Sequence, residues 1–146
     1  MNIGTKAFGL IEVDDHQRVN FPQGLVGFES YKNYVLLDAD TPPFYWLQSL
    51  DTAELAFLVI NPFLFRPDYE AHINNEELED IGISIPEKAL VLAVVTISAN
   101  GNSVTANLQG PLIINQETHT GKQVVLSGPQ WKTRHNILEE LAALSC

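Results

Sequence analysis

Residues 89 to 98, ALVLAVVTIS, run apolar and β-branched for a full strand length before giving way to Asn100-Gly101 and a second β-branched run, SVTANL. A strand that is apolar at consecutive positions has no face to offer water, so it must lie centrally in a sheet covered on both sides. Asn-Gly can take the two positive φ angles of a tight turn whose twist matches its strands, which predicts an antiparallel hairpin at this point. The remaining strand-length segments are Thr5–Val13, Gln17–Phe21, Tyr34–Asp38, Phe44–Gln48, Ala56–Ile60, Pro111–Asn115 and Lys122–Leu126, beside the hairpin strands Ala89–Ser98 and Ser103–Leu108. They are rich in β-branched and aromatic residues and separated by turn formers. Strands this short and numerous cover their edges in a sandwich or by closing on themselves, so the expected fold is mostly β, a small antiparallel β-barrel with short helical turns and a C-terminal helix.

Three segments carry helix signals. Asn75 is a candidate cap for EELEDI, with Glu76 and Glu77 at the positive end of the dipole and Gly82 as the stop. Asp51 and Glu54 have the spacing of a capping box, with room for about one turn. In NILEELAAL, Asn136 precedes Glu139 by three residues, and Ile137, Leu141 and Leu144 share a helical stripe. No repeat or linker separates domains. The expected organisation is one β-barrel domain over residues 1–128, with residues 129–146 as its helical extension beyond a hinge at Ser127-Gly128-Pro129.

Charge narrows the partner classes. With 18 acidic and 8 basic residues the formal net charge is −10, a field that repels phosphate backbones and favours a basic protein partner. The N-terminal stretch MNIGTKAFGLIEV lacks the apolar core of a signal peptide, and the longest apolar run, residues 89 to 95, is far short of a membrane span. The single cysteine, Cys146, permits no disulfide within the chain. These features predict a cytoplasmic protein with no membrane or direct nucleic-acid partner.

The motifs of catalysis fail on their spacing. A phosphate-binding loop around Gly121-Lys122 would need glycine where Gln116 stands and a hydroxyl where Gln123 stands. Ser103 has a glycine on one side only, at Gly101, which is insufficient for a nucleophile elbow. His16, His72, His119 and His135 are scattered without the i, i+4 spacing of a helical metal site. Asp14-Asp15-His16 has the chemistry of a solvated turn. Glu76, Glu77, Glu79 and Asp80 are a solvated helix face, or a docking patch for a basic partner. No catalytic residue, metal or cofactor is expected.

Three stretches are more particular. FPQGLVGFE, residues 21 to 29, combines a φ-fixing proline with two glycines. NPFLFRPDY, residues 61 to 69, brackets Phe63, Leu64 and Phe65 between prolines that cannot donate to a central ladder. TANLQGPLIIN, residues 105 to 115, puts Asn107 and Gln109 at strand spacing before a Gly-Pro break. Each is also compatible with a barrel corner in which side-chain amides pair loose backbone groups.

Together with Leu47-Gln48-Ser49 and Gly121-Lys122-Gln123-Val124-Val125, these stretches, in this order, resemble the FliW family of flagellar assembly factors over residues 2 to 135. The resemblance implies a small antiparallel β-barrel that is not an enzyme. It implies a partner switch that binds flagellin in the cytoplasm and, once flagellin is exported, binds and allosterically antagonises CsrA, the RNA-binding repressor of flagellin translation. It also directs attention to Phe21, Gly24, Gly27, Phe28, Asn61, Pro62, Phe63, Phe65, Arg66, Asp68, Tyr69, Asn107 and Gln109 as candidate partner-binding residues. Gly110 departs from the alanine common in the family, and the chain continues as a helix after His135 where many members stop. On this reading Phe63, Phe65 and Tyr69 form or support a docking surface held open by Pro62 and Pro67; the competing expectation is that the two phenylalanines plug the barrel end. A cavity lined by Asn107, Gln109 and His119 would instead favour a small-ligand barrel.

Overall fold

A computed structural model describes residues 1–70, 73–84 and 88–144. His72 and Cys146 lie outside the described residues. The elements in chain order are β1 (Asn2–Thr5), β2 (Gly9–Glu12), β3 (Arg18–Asn20), β4 (Asn33–Asp38), β5 (Tyr45–Ser49), β6 (Ala56–Ile60), α1 (Asn75–Glu79), β7 (Ala89–Ile97), β8 (Val104–Ala106), β9 (Leu112–Asn115), β10 (Gly121–Gln123), β11 (His135–Asn136) and α2 (Ile137–Leu144). Single 3-10 turns occupy Asp15–Gln17 and Pro62–Leu64.

β1 and β2 form a separate antiparallel pair, and the other strands make one antiparallel sheet in the order β10-β9-β7-β6-β5-β4-β3, with β8 on β7 and β11 on β8. The apolar strand β7 is the hub. One of its edges pairs with β6, while the other serves β9 through Ala89–Leu92 and β8 through Val95–Ile97.

Strand alternation divides the core into two faces. Tyr34, Leu47, Val59, Leu92 and Leu112 share one cluster, although β4 and β9 are far apart in strand order, so the sheet curls round this face and covers it largely with itself. The opposite face carries two covers. Over β4 and β5, the β1–β2 hairpin lays Ile3, Ile11 and Val13 on Val35, Leu37 and Trp46. Over β6 to β9, Phe65, Tyr69, Leu78, Ile81, Trp131 and Ile137 pack on Ile60, Ala93, Val95, Ala106 and Ile113.

The curl does not complete a barrel, which corrects the expected closed fold. The two ends of the sheet meet at one parallel bridge, Asn20 with Thr120, where the Asn20 amide donates to the His119 carbonyl at 2.9 Å. The chain then turns away: the Phe21 amide donates to Lys32, and Pro22 has no amide to give. The Val26 amide is taken by the Gln123 side chain and not by the β10 backbone.

Other boundaries also differ from expectation. Thr5–Val13 is broken by a turn that the Thr5 hydroxyl ties together, accepting from the Phe8 amide and donating to the Gly9 carbonyl. The β7–β8 hairpin forms, but its loop is longer than a two-residue turn. Ser98 and Ser103 close it, and of the Asn-Gly pair only Gly101 has a left-handed φ, +74°. The cap of α1 is Asn74, whose side chain accepts from the Glu77 amide, and Asn75 is the first helical residue. No helix forms at Asp51, because the Ser49 hydroxyl captures the Asp51 and Thr52 amides while the Asp51 carboxylate accepts from Lys32 and Asn33. The Asn136 side chain does accept from the Glu139 amide at the start of α2.

Candidate partner-binding surface

The proline-framed stretch resolves into a 3-10 turn. Pro62 occupies its first position, where the missing amide costs nothing, and the Asn61 side chain caps it by accepting from the Phe63 amide at 2.9 Å. The Pro62 carbonyl receives the amides of Phe65 and Arg66, which fixes the directions of three consecutive apolar side chains. Phe65 turns inward and is fully buried, whereas Phe63 and Leu64 are 42% and 48% exposed. Of the two phenylalanines, Phe65 therefore belongs to the core and Phe63 to the surface, and with no closed barrel neither plugs a barrel end.

Tyr69 is the support beneath. Its ring is buried edge-on against Trp131 at 4.7 Å and lies 5.9 Å from Phe63, and its hydroxyl donates to the Leu108 carbonyl at 2.7 Å. Burial pushes its pKa above the ordinary phenol value. Arg66 clamps the periphery. It makes two bonds to the Asp68 carboxylate, at 2.9 and 2.8 Å, and one to Glu140 of α2 at 2.7 Å, with its guanidinium 4.8 Å over the Trp131 ring. The Arg66 hydrogen bond holds the exposed Asp68 carboxyl below its usual range. Glu140 also meets His135 Nδ1 at 3.0 Å. His135 Nε2 accepts from the Lys132 amide, so in the neutral ring Nδ1 carries the proton toward Glu140.

The other two stretches join each other, and the second also meets the clamp where Leu108 accepts from the Tyr69 hydroxyl. Phe21 is fully buried, edge-on to Tyr34. Gly24 closes a turn through its amide to the Phe21 carbonyl, Gly27 donates to the Glu29 carboxylate, and Phe28 stays 37% exposed on the Phe57 ring. Gln123 links them by accepting from Val26 and donating to the Gly110 carbonyl. The Asn107 side chain accepts the amides of Gln109 and Gly110, so it is turned onto its own loop. Both residues follow the end of β8, so strand alternation does not orient them. His119 lines a different cleft, of about 330 Å³, with His16.

Sequence reasoning missed Trp131, His135 and Glu140. Ser127-Gly128-Pro129 read as a hinge, yet Trp131 is 4% exposed, the Lys132 carbonyl receives the amides of Leu108 and Gln109, and β11 pairs with β8. The one available signal was a lone tryptophan just after the Gly-Pro break.

Among the described residues no group of three or more His, Cys, Asp or Glu side chains could hold a metal ion, and no helix is long and apolar enough to cross a membrane. What the geometry offers is a curled, open antiparallel β domain bearing the exposed rings of Phe28 and Phe63 on hydrogen-bonded turns. Comparison with known proteins identifies the family. The model of the FliW protein family matches residues 2–137. The chain is 51% identical over 143 residues to flagellar assembly factor FliW of Treponema denticola, covering 98% of this chain and 97% of the relative. It is 47% identical over 142 residues to that of Treponema pallidum, covering 97% and 95%. A crystal structure of the flagellar assembly factor FliW superimposes with a TM-score of 0.86 at 37% identity, covering 94% of this chain and 96% of the other. The chain belongs to the FliW family of flagellar assembly factors.

Proposed function

We propose that this chain is a cytoplasmic partner switch in flagellum assembly. It binds flagellin and, when flagellin is scarce, binds CsrA and antagonises it allosterically, which frees the flagellin message for translation. Neither step makes or breaks a covalent bond. Family membership motivates the reading, and one structural observation carries it: Phe63 and Leu64 stand exposed on a turn that Asn61, Pro62, Phe65 and Tyr69 make rigid. Exposed aromatic and aliphatic groups on a rigid base suit the capture of an amphipathic helix, because little conformational freedom is lost on their side. Phe28 offers a second exposed ring, and Arg66 with Asp68 a polar rim. In this scheme Phe21, Gly24 and Gly27 hold the loop that carries Phe28, and Asn107 and Gln109 belong to the loop beside the Tyr69 hydroxyl. Occupancy then follows the free concentrations and relative affinities of the two partners.

The test is to mix the purified chain with flagellin and CsrA and resolve the mixture by size-exclusion chromatography. Displacement of CsrA by added flagellin supports the switch. Coelution of all three as one stable complex, or of neither partner with the chain, refutes it.

A further inference from the structure

Asn100 is the one asparagine in the sequence followed by glycine, and the fold puts the pair at the exposed tip of the β7–β8 hairpin. Hydrogen bonds there converge on one atom. Asn100 Oδ1 accepts from the Ser98 hydroxyl at 2.7 Å and from the Asn102 amide at 3.0 Å, while Ser98 Oγ is itself fixed by the Ser103 amide at 3.0 Å. Both donors fall on the carbonyl oxygen, and neither engages Nδ2. A Cβ built on Gly101 would meet nothing within 4 Å, so the space around this glycine is open.

These are the parts of an intramolecular acyl transfer. Once a base has taken its proton, the Gly101 nitrogen bonds to Asn100 Cγ and the C=O electron pair moves onto Oδ1, where the two donors stabilise the developing charge. Return of that pair breaks the Cγ–Nδ2 bond, and Nδ2 leaves as ammonia with a proton from water. The resulting succinimide takes up one water at either carbonyl and opens to aspartate or isoaspartate. One bond opposes the step: the Gly101 amide donates to the Ser98 carbonyl at 2.8 Å, so attack awaits opening of the tip. Residues 99–102 are all exposed, and such a tip opens at low cost. Other asparagines separate the ingredients. Asn107 Oδ1 also has two amide donors, but the nitrogen that would attack belongs to Leu108, which is fully buried and donates to the Lys132 carbonyl. Asn102 is exposed but precedes Ser103, whose amide is held by Ser98 Oγ.

We propose that Asn100 is a site of self-modification, converting to aspartate and isoaspartate in the folded chain, with the Ser98 hydroxyl and the Asn102 amide as its activating donors. Either product adds a negative charge to the tip, and isoaspartate also lengthens the main chain by one methylene. The hairpin survives the change, because the bond from the Ser98 amide to the Ser103 carbonyl and the pairing of Ile97 with Val104 lie outside the altered residue. The inference stands independently of the partner switch.

The experiment incubates the purified full chain at mildly alkaline pH and follows each asparagine by peptide mapping and mass spectrometry, with isoaspartate counted by an isoaspartyl methyltransferase. Ser98→Ala, Ser98→Thr and Gly101→Ala are treated alike, each with a melting curve. In the wild type a gain of about 1 Da should appear at Asn100, at a rate that rises with pH, while Asn102 and Asn107 stay unchanged. Gly101→Ala, which puts a methyl group beside the attacking nitrogen, should slow conversion about tenfold or more. Ser98→Ala should slow it about threefold or more by removing one donor, and Ser98→Thr, which keeps the hydroxyl, should restore it. Conversion of Asn100 no faster than that of Asn102 or Asn107 overturns the proposal, and this comparison within the wild-type chain decides even if Ser98→Ala fails to fold. A folded Ser98→Ala that converts as fast as wild type, or faster, also overturns it, since the loop then supplies no activation.

Discussion

Gly24 should be among the least replaceable residues in the chain, for a reason that can be separated into two parts. Its φ is +69°, a left-handed conformation that costs an ordinary L-residue about 1–2 kcal/mol. A Cβ built on it would also lie 2.5 Å from the Glu29 Cα and 2.7 Å from the Glu29 carbonyl oxygen. Both are backbone atoms in a loop tied by bonds from Phe28 to Leu25 and from Tyr31 to Phe28, so they cannot swing aside as a side chain could. Overpacking of this kind costs about 1–3 kcal/mol more. Gly24→Ala should therefore lose about 2–5 kcal/mol, which for a domain of this size is a fall in Tm of about 4–20 °C. Gly101 supplies the reference, because its φ is +74° but nothing lies within 4 Å of its Cβ position. Gly101→Ala should lose the backbone part alone, about 1–2 kcal/mol. Thermal and urea unfolding followed by circular dichroism measures both. If Gly24→Ala and Gly101→Ala melt together, the close approach at Glu29 is not a constraint and the reasoning fails.

Five further outcomes follow from the same structure and from the charge of the chain. Tyr69→Phe strands the buried Leu108 carbonyl and should cost about 1–3 kcal/mol by urea unfolding, while Phe65→Ala, which empties a fully buried site, should cost about 3–5 kcal/mol. Burial raises the pKa of Tyr34 to about 12 and that of Tyr69 as well, so the folded state favours the neutral phenols. That stability is complete below the unfolded phenol value of about 10 and is lost as the pH rises through the folded values, so Tm should fall between about pH 10 and 12, less steeply in Tyr34→Phe. The Asp68 carboxyl is held low by Arg66, so its small contribution is present above the unfolded value of about 4 and fades as the pH drops further; Arg66→Ala should flatten the acid side of the Tm profile. If the negative field steers CsrA to the surface, stopped-flow association should slow markedly between about 50 and 500 mM salt, and an unchanged rate removes steering.

The strands were legible where alternation or a long apolar run dominates, as in Tyr34–Asp38, Ala56–Ile60 and Ala89–Ile97. They were illegible where a side chain far from any pattern decides. Thr5 breaks an apparently continuous strand through its hydroxyl, a bond that hydropathy does not encode. The choice between Asn74 and Asn75 as a cap is a matter of one residue's backbone angle, and both have the right chemistry. Closure depended on two ends of the sheet far apart in sequence, and short strands gave no sign that Phe21 would leave the edge for Lys32. At the candidate surface, two prolines around three apolar residues announced an irregular turn but not which ring faces water. That follows from the 3-10 geometry and from Trp131, Glu140 and Tyr69, which arrive from other parts of the chain. The pairing of Arg66 with Glu140 spans 74 residues and has no local signature.

The central claim is that an exposed aromatic on a rigid turn is used for binding and not for holding the fold together. Phe63→Ser tests it most directly, because Phe63 is 42% exposed and its ring lies 5.9 Å from that of Tyr69 at a tilt of 53°. Titration of flagellin and CsrA into this variant should show affinity for at least one of them reduced tenfold or more, alongside a Tm within about 4 °C of wild type, the cost of roughly 1 kcal/mol. Undiminished affinity for both, or a collapse of the fold, would contradict the account.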